Sequence, residues 1–160
     1  MVLVFFFRFV FIKDTPRYQQ LAAELGIDKW VRFHGFVQNA ELPAHLTRTQ
    51  LVLHPNRKGN MDQVLCETQA LGLPVVASRV NGNPECVEEN ETALLCPVDD
   101  VEAFAQGLRR MLASAALRDQ FGRAARERAA RIFPWSRAVE RLEREIYEPL
   151  ARGDLPRRRG

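Results

Sequence analysis

The sequence predicts an α/β fold, with a Rossmann-like parallel sheet covered by helices on both faces and a helical C-terminal third. Two observations predict it. Short apolar runs typical of buried strands alternate with helical segments from residue 2 to residue 97, which is the pattern of parallel βαβ units. From Val101 onward the apolar residues keep helical spacing. The chain of 160 residues is long enough to bury a sizeable core.

The predicted elements follow one another in a regular order. The Phe-rich segment 2–12 is predicted to be an interior or near-interior strand, and the helix after it is predicted to end at Gly26. Four further strands are predicted at 30–37, 50–54, 73–78 and 92–97. Shorter helical segments are predicted at 39–49, from about residue 60, and at 84–90, and three helices at 101–114, 115–133 and 135–150.

The composition excludes several classes of protein. Apolar residues at 46% and charged residues at 27% are typical of a soluble globular protein. Three cysteines without a C-x-x-C motif argue against a disulfide framework or a zinc site and favour a reducing compartment. The apolar start is too short for a membrane span, which needs about 20 residues, and it lacks the features of a signal peptide. We therefore expect a cytoplasmic protein.

The charge is unevenly distributed along the chain. Residues 109–160 carry fourteen Arg and seven acidic side chains, whereas residues 1–108 carry nine basic and thirteen acidic ones. One interpretation is a set of solvated helix faces followed by a frayed tail. The other is attraction to an anionic surface, such as the inner face of a membrane. No nucleic-acid partner is predicted.

Two loops are candidates for ligand binding, because ligands of parallel α/β sheets bind at the carboxyl ends of the strands. The first, HPNRKGN, precedes a helix in which Asn60 is a plausible N-cap and Gln63 follows three residues later. The free amides of such a helix start suit a phosphate group. The second, RVNGNPE, contains Gly82, which permits close approach of the backbone to a ligand.

One acidic residue of the helix after the first loop needs an explanation. The apolar stripe of this helix predicts a buried face, formed by Met61, Val64, Leu65, Thr68 and Leu71. Glu67 falls at the margin of this stripe rather than on the opposite, solvated side. The sequence therefore places a carboxylate beside the core.

Six stretches in order resemble one enzyme family: VRFHGFV, ELPAHL, LVLHPN, VLCETQALGLPVVASRVNGNPECV, TALLCPVDD and FPWSRAVERLEREIYEPL. They are similar to the C-terminal, nucleotide-sugar-binding half of the retaining group 1 (family 4) glycosyltransferases, which have the GT-B architecture of two facing Rossmann-like domains. The resemblance covers roughly residues 10–150. It implies a donor-binding domain at 1–150, with an atypical start at 1–9 and a disordered Arg-rich tail at 151–160.

The resemblance implies a role for Glu67, which matches the family's glutamate that accepts hydrogen bonds from the ribose hydroxyls of the donor. The alternative is a partly buried glutamate paired with an arginine of the terminal helices. A second glutamate, usual eight positions earlier, is replaced here by Gly59, and Arg57 and Lys58 could stand in for the family's phosphate-binding bases. The remaining donor-binding residues that we expect are Val64, Gln63, Asn60, Gly35 and His34.

Three functions are compatible with this sequence. The first is the donor-binding part of a glycosyltransferase that transfers sugar with retention and needs an N-terminal acceptor domain, which we expect to be absent from this chain. The second is a non-catalytic module that binds a nucleotide sugar, as Gly59 suggests. The third is a basic membrane-surface protein on a degenerate domain. No catalytic residue is assigned, and no metal or resident cofactor is predicted.

Overall fold

The computed structural model describes residues 3–7, 15–38, 40–58 and 63–152. Within the chain, residues 1–48 and 49–160 are two compact units. Gly59, Asn60 and the predicted tail from residue 153 lie outside the described residues. The assignment of residues 1–150 to one domain stays a prediction.

The first unit is a small parallel α/β unit. Its elements are β1 (Leu3–Phe7), α1 (Thr15–Glu24), a 3-10 turn (Asp28–Trp30), β2 (Val31–Phe36) and α2 (Leu42–Leu46). The strands β1 and β2 are parallel, with Leu3 opposite Val31 and Phe7 opposite Phe36. The predicted strand in the Phe-rich segment is therefore confirmed for its residues 3–7.

The predicted interior or near-interior position of the Phe-rich strand is wrong for the part of the chain that is described. There, β1 pairs with β2 alone, and the five strands form two sheets rather than one. The prediction rested on a continuous apolar run, which is typical of a strand buried on both faces. Such a run indicates burial, but it does not specify which strands lie on either side.

The end of α1 follows the prediction closely. Gly26 has a φ of 65°, in the left-handed region that glycine adopts without steric cost. The Ile27 amide donates to the Ala22 carbonyl, and the Gly26 amide donates to the Ala23 carbonyl. These two bonds form a Schellman motif, which terminates the helix.

The second unit contains a three-stranded parallel sheet in the order β3–β4–β5. Its elements before the helical third are β3 (Val52–His54), α3 (Gln63–Leu71), β4 (Val75–Ser78), α4 (Asn83–Cys86) and β5 (Ala93–Cys96). The helical third consists of α5 (Val101–Ala113), α6 (Ala115–Ile132), α7 (Trp135–Leu142), a π-helical turn (Glu143–Tyr147) and α8 (Glu148–Ala151). The predicted α/β class and the helical C-terminal third are confirmed.

Helices cover both faces of the three-stranded sheet, as predicted. One face buries Val75, Ala77 and Ala93 against Leu65 of α3 and Cys86 of α4. The other face buries Val76, Leu94 and Cys96 against Met111 of α5 and Phe121 of α6. Alternate residues of β4 and β5 therefore point to opposite faces, as the pleat of a strand requires.

Helix α6 packs with its backbone directly against the turn that follows α3. A Cβ atom built at Gly122 would lie 2.3 Å from the carbonyl oxygen of Gly72. Gly72 itself has a φ of 69° and ends α3 in a second Schellman motif, in which the Leu73 amide donates to the Thr68 carbonyl. Both glycines are therefore required by the local geometry.

We expect the Gly122→Ala variant to lose about 1–3 kcal/mol of its free energy of unfolding, because the new methyl group clashes with backbone that cannot rotate away. Chemical denaturation measures this loss. Gly107→Ala in α5 is the matched control, since its Cβ would meet a side-chain atom of Val76 at 3.1 Å instead of backbone. A Gly122→Ala variant as stable as the wild type would contradict this packing.

The segment from α7 to α8 exposes most of its apolar side chains. Trp135 is 82% exposed, and the exposed apolar stripe continues through Val139, Leu142, Ile146 and Leu150. We refer to these five residues as the terminal stripe. Among the described residues, no helix combines the length and apolar character needed to cross a membrane.

Candidate functional site

The two loops that the sequence analysis selected are joined by one buried side chain. Asn83, at the start of α4, is fully buried, and its Nδ2 donates to Oδ1 of Asn56 (3.0 Å) and to the carbonyl of Ser78 (2.9 Å). Asn56 lies in the loop after β3, and Ser78 is the last residue of β4. The amide of Asn83 therefore fixes the loop after β3 against the carboxyl end of β4.

The oxygen of the same amide is left without a hydrogen bond among the described residues. Both acceptors of the Nδ2 group are oxygen atoms, which fixes the orientation of the Asn83 amide. Its Oδ1 atom is buried and has no hydrogen-bond partner within the described ranges. Buried polar atoms are rarely left unsatisfied, so this oxygen suits a donor group of a ligand or a water molecule.

A third loop reaches the same edge of the sheet. Arg57, after β3, donates from Nε to Oδ1 of Asp99, after β5, at 2.5 Å. Both side chains are more than half exposed, and exposed ion pairs contribute little, about 0–1 kcal/mol. Arg57 could therefore exchange this carboxylate for the phosphate of a ligand at low cost. The loops after β3, β4 and β5 thus meet at the carboxyl ends of the strands.

Glu67 occupies the margin of the core, as predicted from its position beside the apolar stripe. It lies in α3, where Leu65 and Thr68 are fully buried, and its own side chain is half-buried with Oε2 inside. Gln69 is also fully buried, which the apolar stripe did not indicate. Its Nε2 donates to the Thr92 carbonyl at 3.4 Å.

The other predicted donor-binding residues are distributed over both units. Gln63 is the exposed first residue of α3, Val64 is half-buried beside it, and Lys58 is exposed after β3. His34 and Gly35 belong to β2 in the first unit, where the ring of His34 stands edge-on to that of His45 at 4.8 Å.

Arg128 of α6 is a structural residue of this region that the sequence analysis missed. Its side chain is 7% exposed and donates to the carbonyls of Cys86 (2.6 Å) and Glu85 (2.9 Å), and to the carboxylate of Glu88 (3.3 Å). It therefore satisfies the last carbonyls of α4, which has Asn83 as its first residue. Its position in an Arg-rich helix gave no signal for this role.

Other arginines of α6 also have structural partners. Arg118 donates to the Met111 and Leu112 carbonyls at the end of α5, and Arg126 donates to the Leu71 carbonyl at the end of α3. Four ion pairs hold the arginines of the terminal helices: Arg137–Glu140, Arg141–Glu145, Arg144–Glu145 and Arg152–Glu148. The arginines of these four pairs are exposed, as the interpretation of solvated helix faces expects, whereas the arginines of α6 that bind backbone carbonyls have a role that neither interpretation included.

The described residues hold no group of three or more His, Cys, Asp or Glu side chains that could bind a metal ion. The chemistry that this edge of the sheet offers is instead hydrogen bonding and charge. It combines a buried amide oxygen, exposed bases and the start of α3, the helix that bears Glu67. Such a set suits a ligand with both hydroxyl groups and an anionic group.

Comparison with protein families gives one match. The family model for "Glycosyl transferases group 1" matches residues 12–128. A D-inositol 3-phosphate glycosyltransferase of Corynebacterium efficiens is 36% identical over 148 residues, which cover 90% of this chain and 35% of that protein. The chain spans about a third of the length of the curated relatives it matches.

Two solved structures show the same fold. HepE of Anabaena, in complex with UDP, matches with a TM-score of 0.78 at 22% identity over 94% of this chain and 40% of that one. The C-terminal domain of LpcC, a glycosyl transferase group 1 family protein of Francisella tularensis, matches with a TM-score of 0.69 at 19% identity, over 76% of this chain and 65% of that domain.

Proposed function

Because the chain belongs to the group 1 glycosyltransferases and has the fold of their C-terminal GT-B domain, we propose that it binds the nucleotide-sugar donor. Transfer of the sugar, with retention, would then take place together with an acceptor-binding domain. The observation that supports this proposal most is the meeting of three loops beside the helix that bears Glu67. The structure of HepE with UDP supports the class of donor.

Each group at the edge of the sheet has a role in this proposal. Glu67 accepts hydrogen bonds from the two ribose hydroxyls, and bonds to an ionised carboxylate are about twice as strong as neutral ones. We propose that Arg57, Lys58 and the amides at the start of α3 bind the diphosphate, together with Asn60 and Gln63. They stabilise the negative charge that develops on the leaving diphosphate. The donor itself is the substrate, and no metal takes part in the proposal.

The base and the sugar would contact other predicted residues. The roles of His34 and Gly35 at the base and of Gly59 and Val64 at the sugar stay predictions from the resemblance. No residue is proposed as a covalent nucleophile. The contribution of the protein is to hold donor and acceptor in one geometry, which can lower a barrier by about 7–11 kcal/mol.

The terminal stripe is proposed as the surface that packs on the acceptor-binding domain. Its five residues are apolar and exposed, and they lie along one continuous helical segment. Exposed apolar stripes of this kind mark interaction sites. The membrane-surface alternative has less support, because the ion pairs described above offset the charge of these helices.

We expect residues 1–160 to bind a nucleotide sugar without transferring the sugar at a useful rate. The measurement is transfer of radiolabelled sugar from UDP-, GDP- and ADP-sugars to D-inositol 3-phosphate and to lipid acceptors. Adding the N-terminal domain of a relative should raise turnover, whereas Gly59→Glu alone should not. Robust turnover by the chain without a partner would show that the acceptor site lies within residues 1–160.

Two further readouts separate the alternatives. Donor binding without turnover, even with the added domain present, would favour the non-catalytic module. Binding to anionic liposomes that falls with salt, without donor binding, would favour the membrane-surface protein.

A further inference from the structure

Two cysteine thiols are in contact on one face of the three-stranded sheet. The thiol of Cys66 in α3 donates to Sγ of Cys86 in α4, and the two sulfur atoms are 4.0 Å apart. Cys86 is 1% exposed, whereas Cys66 is half-buried. Both belong to the same hydrophobic cluster, together with Leu65 and Val75. One residue of the pair is therefore partly exposed, and the other is buried in contact with it.

We propose that Cys66 and Cys86 are an oxidisable thiol pair, which a peroxide converts into a disulfide that links α3 to α4. A disulfide bond is about 2.0 Å long, so the two sulfur atoms must approach each other by about 2 Å. Helix α4 has only four residues, and the bonds of Asn83 and Arg128 that hold it must adjust when the disulfide forms.

The reaction has two steps. In the first, the thiolate of Cys66 attacks a peroxide oxygen, so that an S–O bond forms, the O–O bond breaks and hydroxide leaves. In the second, Sγ of Cys86 attacks the sulfenic sulfur of Cys66. The S–S bond forms, the S–O bond breaks, and the hydroxide that leaves takes up the thiol proton. Two thiols are oxidised by two electrons in total, and the peroxide is reduced to two molecules of water.

The disulfide would act on the candidate donor site, and this consequence rests on the proposed function. Cys66 immediately precedes Glu67, and Asn83 lies one turn before Cys86 in α4. Closing the bond moves Cys66, Cys86 or both, and so displaces the neighbouring Glu67 carboxylate or the Asn83 amide. Losing hydrogen bonds to a charged group costs roughly 10- to 150-fold in affinity. We therefore expect the oxidised protein to bind the donor at least about tenfold more weakly.

Cys96 supplies an internal control. It lies at the end of β5 with its side chain in the hydrophobic cluster on the opposite face of the sheet. Burial, together with the nearby Asp100 carboxylate, raises the pKa of the Cys96 thiol. Its reactive thiolate form is thus scarce at neutral pH. A Cys96→Ala variant should therefore oxidise in the same way as the wild type.

The test is oxidation of the full chain with hydrogen peroxide, followed by peptide mapping under non-reducing conditions. We expect a peptide pair joined by Cys66 and Cys86, formed equally in Cys96→Ala, abolished in Cys66→Ala and reversed by dithiothreitol. In Cys86→Ala, Cys66 should instead accumulate as a sulfenic acid that dimedone traps. Sulfenic acid at Cys66 of the wild type without the disulfide would overturn the proposal, as would pairing of either residue with Cys96.

Mapping requires no donor, so its result is independent of the proposed function. If the disulfide forms, donor affinity is measured on the oxidised and reduced wild type and on Cys66→Ala treated with peroxide. A loss of affinity that is confined to the oxidised wild type and reversed by dithiothreitol would support the action on the donor site. If the disulfide forms and the donor affinity is unchanged, the proposed effect of the disulfide on the donor site is wrong.

Discussion

Replacing Arg128 by Ala should lower the free energy of unfolding by about 3 kcal/mol, the range for losing a buried group that is hydrogen-bonded and charged. The variant leaves the carbonyls of Glu85 and Cys86 without the guanidinium that now binds both. It also removes the contact between Arg128 and the ring of Phe133. For a chain of this size the melting temperature should fall by roughly 6–12 °C.

Chemical denaturation with a matched variant isolates the cause of this loss. Arg123→Ala removes an exposed arginine from the same helix and should change stability by less than about 0.5 kcal/mol. Arg128→Lys keeps the charge but cannot reproduce the forked contacts, so an intermediate loss is expected. Equal stabilities of Arg128→Ala and Arg123→Ala would contradict the role of Arg128 in holding α4.

Replacing Glu67 by Ala should weaken donor binding by about 1.5–3 kcal/mol, or roughly 10- to 150-fold, because two hydrogen bonds to a charged acceptor are lost. Folding should be largely spared, since the side chain is only half-buried. Calorimetric titration gives the affinity, and thermal unfolding shows whether the variant is folded. Unchanged affinity, or an unfolded variant, would favour a structural role for Glu67.

The local sequence pattern predicts the helices and strands of this fold, because it indicates which segments are buried and where the chain turns. The run at 73–78 contains β4, whose four residues are all buried, and Gly26 ends α1 through the predicted motif. The same pattern does not indicate which strands pair with each other. The apolar run that contains β1 therefore predicts a buried strand but not its pairing with β2 alone, among the described residues.

The candidate site shows the same division between local and long-range information. The position of Glu67 at the margin of the core follows from its angular position on one helix, which nine consecutive residues determine. Asn56 and Asn83 are 27 residues apart, and Arg128 is 42 residues from Cys86. Contacts across such separations depend on the assembled sheet. An asparagine in a loop or an arginine on a helix carries no local signal for them.

Whether Glu67 binds the ribose of a nucleotide-sugar donor is tested most directly by a double-mutant cycle between protein and ligand. The wild type and Glu67→Ala are each titrated with the donor that binds and with its 2′,3′-dideoxyribose analogue. We expect the substitution to cost about 1.5–3 kcal/mol with the natural donor and almost nothing with the analogue, since the hydroxyls that Glu67 would bind are then absent. An equal cost with both ligands would contradict the claim.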